Sequence, residues 1–77
     1  MSARAYILIE AQVGRAKQVV ETLRALDGVQ QADIITGVFD IIACVEASDI
    51  PSMANLVTAQ LQASRGVLRT ITCVVSG

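Results

Sequence analysis

The chain states its local plan twice. Gly28-Val29 recurs as Gly66-Val67, 38 residues further on in a chain of 77, and each pair closes a helical pattern and opens a strand pattern. In the first half, Ala5-Tyr6-Ile7-Leu8-Ile9 is a run of strand formers ended by Glu10. Ala16, Val19, Val20, Leu23 and Leu26 then fall at the spacing of one face of an amphipathic helix. Asp27-Gly28 stops that helix, since glycine best tolerates the left-handed conformation of a helix terminus. Ala32 to Thr36 reads as a second strand. In the second half, Phe39 to Ala47 reads as a strand, Ser48-Asp49 supplies a helix cap, and Pro51 falls in the first turn, where its missing N–H costs little. Met53, Leu56, Val57 and Leu61 form the next stripe, Arg65-Gly66 ends it, and Val67 to Val75 is the last strand. The pattern is β-α-β twice, joined by a tight connection at Gly37. It predicts one α+β domain over residues 1–77 with a ferredoxin-like βαββαβ fold, both helices on one face of a four-stranded antiparallel sheet.

Such a fold leaves half of its sheet uncovered. Residues of the set AVILMFWYC make up 53% of the chain and charged residues only 17%, more apolar material than so small a core hides. Side chains alternate across a strand, which splits the strands into two sets. The set expected to face the helices is Ile7, Ile9, Ile35, Ile41, Ala43, Val45, Ile71, Cys73 and Val75. The set expected on the open face is Tyr6, Leu8, Ile34, Thr36, Asp40, Ile42, Cys44, Thr70, Thr72 and Val74. A solvated sheet face normally carries polar residues at alternate positions; this one does so weakly. Large apolar patches mark interfaces, so the pattern predicts a homodimer with sheets packed face to face. Tyr6, Leu8, Ile34, Ile42, Cys44 and Val74 would form the contact.

The same residues exclude several functions. No apolar run approaches the ~20 residues of a membrane span, and the N-terminus does not read as a secretory signal, so a cytoplasmic location is expected. Net charge is −1 with the six Lys and Arg residues scattered, which argues against direct contact with nucleic acid. The absence of histidine removes the commonest metal ligand and general base. Cys44 and Cys73 are expected on opposite faces, acting as small hydrophobes. The carboxylates show no motif spacing, and no glycine pattern matches a phosphate cradle. Neither a catalytic site, nor a metal, nor a cofactor is expected.

The segment Thr36-Gly37-Val38-Phe39-Asp40 stands apart from this background. It can be a plain hairpin, with Gly37 at the turn and Asp40 exposed. It can also be a ligand site, because a carboxylate among apolar neighbours needs a cation or several donors, and Thr70 and Thr72 are expected on the same face. Both readings stay open on the residues alone.

That turn, followed by an apolar strand, a capped helix and then Arg65-Gly66-Val67-Leu68-Arg69-Thr70-Ile71-Thr72, resembles the effector-binding module of the Lrp/AsnC (feast/famine) transcription regulators, the RAM domain. The turn matches that family's T-G-x-[YF]-D pattern and the last strand its G-V-x-x-T-x-T pattern. The resemblance implies a dimer built through the sheets and assembled further into a ring of four or five dimers, an octamer or decamer. It also implies amino-acid effectors bound between dimers by Gly37, Val38, Phe39, Asp40, Thr70 and Thr72. In that scheme backbone groups around Gly37 take the carboxylate, Asp40 the amino group, and the threonines the side-chain end. The chain begins at the first strand, without a helix-turn-helix, so it resembles the stand-alone RAM proteins. Any role in transcription would then pass through partners such as full-length Lrp/AsnC regulators.

Two other classes share the fold. Small dimeric α+β-barrel enzymes of the monooxygenase type need a pocket with His, Asn, Trp or Tyr, and Asn55 is the single Asn here, with no His or Trp. ACT domains bind amino acids through a loop after the first strand, to which Gln12-Val13-Gly14-Arg15 is only faintly similar.

Overall fold

The computed structural model describes residues 2–76. Four strands, β1 (Ala3–Ala11), β2 (Val29–Ile34), β3 (Ile41–Ala47) and β4 (Val67–Val74), and two helices, α1 (Ala16–Arg24) and α2 (Ile50–Asn55), follow one another as βαββαβ. The sheet order is β2-β3-β1-β4 and every pairing is antiparallel, the ferredoxin-like fold expected from the duplicated pattern. β1 starts two residues earlier than its apolar run suggests, and β2 ends at Ile34 instead of Thr36.

One core lies between the helices and the sheet. Ala5, Ile7, Ile9 and Ala11 of β1 and Ile41, Ala43 and Val45 of β3 are buried against Val19, Val20 and Leu23 of α1. Met53, Leu56, Val57 and Leu61 close the other side. The Asp49 carboxylate caps α2 by accepting the Ser52 N–H at 2.8 Å, with Pro51 in the first turn. Beyond Asn55 the helix changes gauge: Leu56–Leu61 is a π-helical stretch, ending where Gln62 N donates to Val57 O, five residues back, at 2.8 Å. Such stretches are rare, and the apolar stripe alone does not distinguish one from an α-helix.

The two repeated glycines lock the halves together. Gly28 has φ +94° and Gly66 φ +93°, a region that side-chain-bearing residues seldom adopt. A Cβ on Gly28 would lie 2.8 Å from Leu56 Cδ2 and 3.0 Å from Glu46 O, and one on Gly66 would lie 2.9 Å from Val19 Cγ2. Each glycine therefore sits against the helix of the opposite half. Their carbonyls do the same for the sheet: Gly28 O accepts from Glu46 N and Gly66 O from Gln12 N, both at 2.8 Å.

The register corrects the faces assigned to the outer strands. Tyr6 pairs with Cys44 and Cys73, and Leu8 pairs with Ile42 and Ile71. Directly opposed residues share a face, so Ile71 and Cys73 lie on the open side, opposite to expectation. Thr70, Thr72 and Val74 pair with buried Ile9, Ile7 and Ala5 and so lie on the helix side. Ile34 pairs with buried Ile41 and also belongs to the helix side. Cys44 and Cys73 share the open face, flanking Tyr6, and both are free thiols. Two strand spacings, roughly 9.5 Å, separate them, beyond the reach of a disulfide within the chain.

The reason lies in the irregularities. The β1–β4 register shifts between Glu10 and Ala11, and the β2–β3 register shifts between Val29 and Gln31. Each shift changes which alternate residues face the helices.

Candidate functional site: the open sheet face and the turn at its end

The open face is an ordered grid. Its two central rows are Cys44–Tyr6–Cys73 and Ile42–Leu8–Ile71, with Gln31 and Asp33 of β2 continuing them at the edge. Tyr6 is 43% exposed and Ile71 42%. Charged residues bracket this apolar centre, with Arg4 opposite Glu46 at one end and Glu10 opposite Arg69 at the other. Tyr6, Leu8, Ile42 and Cys44 thus occupy the face expected of them. Ile34 and Val74, expected beside them, stand across the sheet. A shallow pocket lined by Tyr6, Gln31, Asp33, Ile42, Ala43 and Cys44 lies over the β3 side.

The turn Gly37–Asp40 abuts the charged end of this grid. Asp40 N donates to Ile9 O at 2.9 Å, and its Oδ2 accepts from Ala11 N at 2.9 Å. One residue thus grips β1 on both sides of Glu10 and replaces the ladder bond that β3, which starts only at Ile41, does not make. The backbone N–H groups of Gly37, Val38 and Phe39 donate to no backbone acceptor among the described residues. Val38 is exposed at the tip, and around Gly37 the space is open. The turn thus presents three N–H groups without backbone acceptors beside a carboxylate with one oxygen already tied down.

Thr70 and Thr72 are not gathered with Asp40. Thr70 Oγ1 accepts from Gln62 Nε2 at 2.9 Å on the helix side. Thr72 lines a groove of about 240 Å³ with Ile50, Met53, Val57 and Val74. This groove exists because β4 lies beyond the cover of α2. What the turn meets on β4 is Arg69, whose guanidinium carbon stands 5.2 Å from the centre of the Phe39 ring, within cation–π range. Arg69 Nε is also 3.6 Å from Glu10 Oε1. Neither Arg69 nor Glu10 was legible as a site residue, because their meeting depends on the β1–β4 register. Among the described residues no helix is long and apolar enough to cross a membrane.

A sheet of this order, with its helices on one side and a T-G-x-F-D turn at its end, defines a ferredoxin-like α+β module. Residues 4–77 match the model of the Lrp/AsnC ligand binding domain, and the chain belongs to that family. It superposes on the Thermus thermophilus protein TTHA0845 with a TM-score of 0.92 at 27% identity, covering 97% of this chain and 94% of that one. It also superposes on Escherichia coli AsnC, with a TM-score of 0.88 at 22% identity over 95% of this chain and 50% of that one. The transcriptional regulator NMB0573 of Neisseria meningitidis, solved as an L-Met complex, gives 0.86 at 18% identity over 97% and 50%. The last two likenesses are of fold. No curated protein matches the chain in sequence.

Proposed function

We propose that this module binds a free amino acid and couples its presence to the assembly of dimers. The observation that carries the reading is the turn. Three N–H groups without backbone acceptors adjoin a carboxylate, the donor and acceptor sets that a zwitterion requires. The Neisseria regulator of the same fold, solved with L-Met, supports an amino acid as the ligand. The Gly37, Val38 and Phe39 N–H groups receive the effector carboxylate, and the free oxygen of Asp40 receives its ammonium. Thr70 and Thr72 face the other side of the sheet, so they contribute from a neighbouring copy, across the contact between dimers.

The dimer itself forms through Tyr6, Leu8, Ile42 and Cys44, joined by Ile71 and Cys73. Rings of four or five dimers, and mixed assembly with full-length Lrp/AsnC regulators, follow from the family resemblance. The role is regulatory and non-enzymatic. Calorimetry of the intact chain against the twenty amino acids, with light scattering in parallel, tests the reading. Saturable binding of one or a few amino acids is expected, lost in Asp40→Ala and accompanied by a change in assembly size. A monomer that binds none of them refutes it.

A further inference from the structure

The turn explains both polar ends of an amino acid only in part, because backbone N–H groups carry no net charge to match a carboxylate. The charged end of the open face supplies one. By register Glu10 stands opposite Arg69, and Asp40 grips β1 at Ile9 and Ala11, the residues on either side of Glu10. Glu10, Phe39, Asp40 and Arg69 therefore gather at one end of the sheet, with Glu10 between Asp40 and Arg69.

Within that group the guanidinium is held but not consumed. Its carbon stands 5.2 Å from the centre of the Phe39 ring, a cation–π contact that holds the charge over the ring face. Its contact with Glu10, at 3.6 Å, is too long for a hydrogen bond. Both side chains remain open to solvent, 56% for Arg69 and 39% for Glu10. An exposed ion pair of this kind contributes little to stability, whereas a guanidinium held beside a turn with free N–H groups suits a carboxylate, which it can bind in bidentate fashion.

We infer that Arg69 is an effector-binding residue whose guanidinium, held over the Phe39 ring at the foot of the open face, takes the carboxylate of the amino acid. The ammonium then lies toward Asp40 and Glu10. The ligand class narrows accordingly: an α-amino acid with a free carboxylate is accepted, and its carboxamide is discriminated against. This inference rests on the amino-acid reading above and adds the residue that selects for the acid.

The test compares the best-binding amino acid with its own carboxamide, by calorimetry on the intact chain and on the Arg69→Gln and Arg69→Lys variants, with thermal melting as the check of folding. Loss of a charge-assisted contact in Arg69→Gln should weaken binding of the acid by about 10- to 100-fold. Binding of the carboxamide should hardly change, so the preference for the acid disappears. Arg69→Lys should retain part of that preference, since it keeps the charge and loses the fork. Acid binding in Arg69→Gln within twofold of the original, or equal weakening of acid and carboxamide, overturns the inference and leaves the amino-acid reading intact. If the original chain binds no amino acid, the broader reading fails, and the inference falls with it.

Discussion

On β1 and β3, Ile7, Ile9, Ile41 and Val45 point at the helices and are completely buried. On β4 the same kind of residue points the other way: Ile71 and Cys73 face the open side, and Thr70 and Thr72 face the helices. The central strands lie beneath α1 and α2, so their apolar residues are claimed by the core. β4 lies outside that cover, and its helix side borders a groove, so hydroxyls there remain near solvent. Its open side, in contrast, continues the rows of Tyr6 and Leu8. A strand that places its larger apolar residues on the bare face gains little in an isolated chain. It gains when that face is covered. The outer strand thus supports a sheet-to-sheet dimer more strongly than the central strands do, and the correction of its phase strengthens that proposal.

The contrast between the strands is tested most directly in the core. Ile41→Ala, on the helix side of a central strand, should cost about 2–5 kcal/mol by lost transfer energy and cavity formation. Thr72→Ala, on the same side of the outer strand, should stay within about 0.5 kcal/mol, as at an ordinary surface position. Equal losses in denaturant titrations would show that the groove beside β4 is packed like the core.

The next test concerns assembly. Ile71→Asp would place a carboxylate at the β4 end of the apolar grid and should convert the proposed dimer to a monomer in light scattering. Thr72→Asp, one residue along and on the other side of the sheet, should leave the dimer intact. Dissociation caused by Thr72→Asp alone would assign the dimer contact to the helix side.

The smallest effect lies at the helix cap. Hydrogen bonding from Ser52, the hydroxyl first and the backbone N–H second, holds the Asp49 carboxyl below its ordinary value. A group whose folded-state value is lowered adds stability above the unfolded value and loses it as pH falls through the folded one. Asp49→Ala should therefore be slightly less stable than the original chain at neutral pH. The gap should close in acid, below the ordinary aspartate range near pH ~4. A gap that stays constant through that acid range would show that the carboxylate charge has no part in the cap.

Much of this molecule is legible in the order of its residues. The repeated Gly-Val pairs, the helical stripes, the Asp49 cap and the Thr36–Asp40 turn determine the element order, the fold class and the family resemblance. Each is a local signal, expressed within a few residues by backbone preference or by hydrophobic period. The phase of the outer strands is not legible in the same way. Apolar alternation reveals the buried face only where one side alone is buried. On β4 the helix side is poorly covered and the open side is apolar, so the larger residues point to the wrong face. Only the pairing of β4 with β1 places Thr70 and Thr72 away from the turn and brings Arg69 to it. Register shifts at Glu10/Ala11 and Val29/Gln31 break the alternation along the outer strands. Those shifts arise from pairing between distant segments, and β4 reaches β1 across most of the chain. Local signals along the chain set which elements form and in what order; long-range pairing settles which side chains meet at the foot of the sheet.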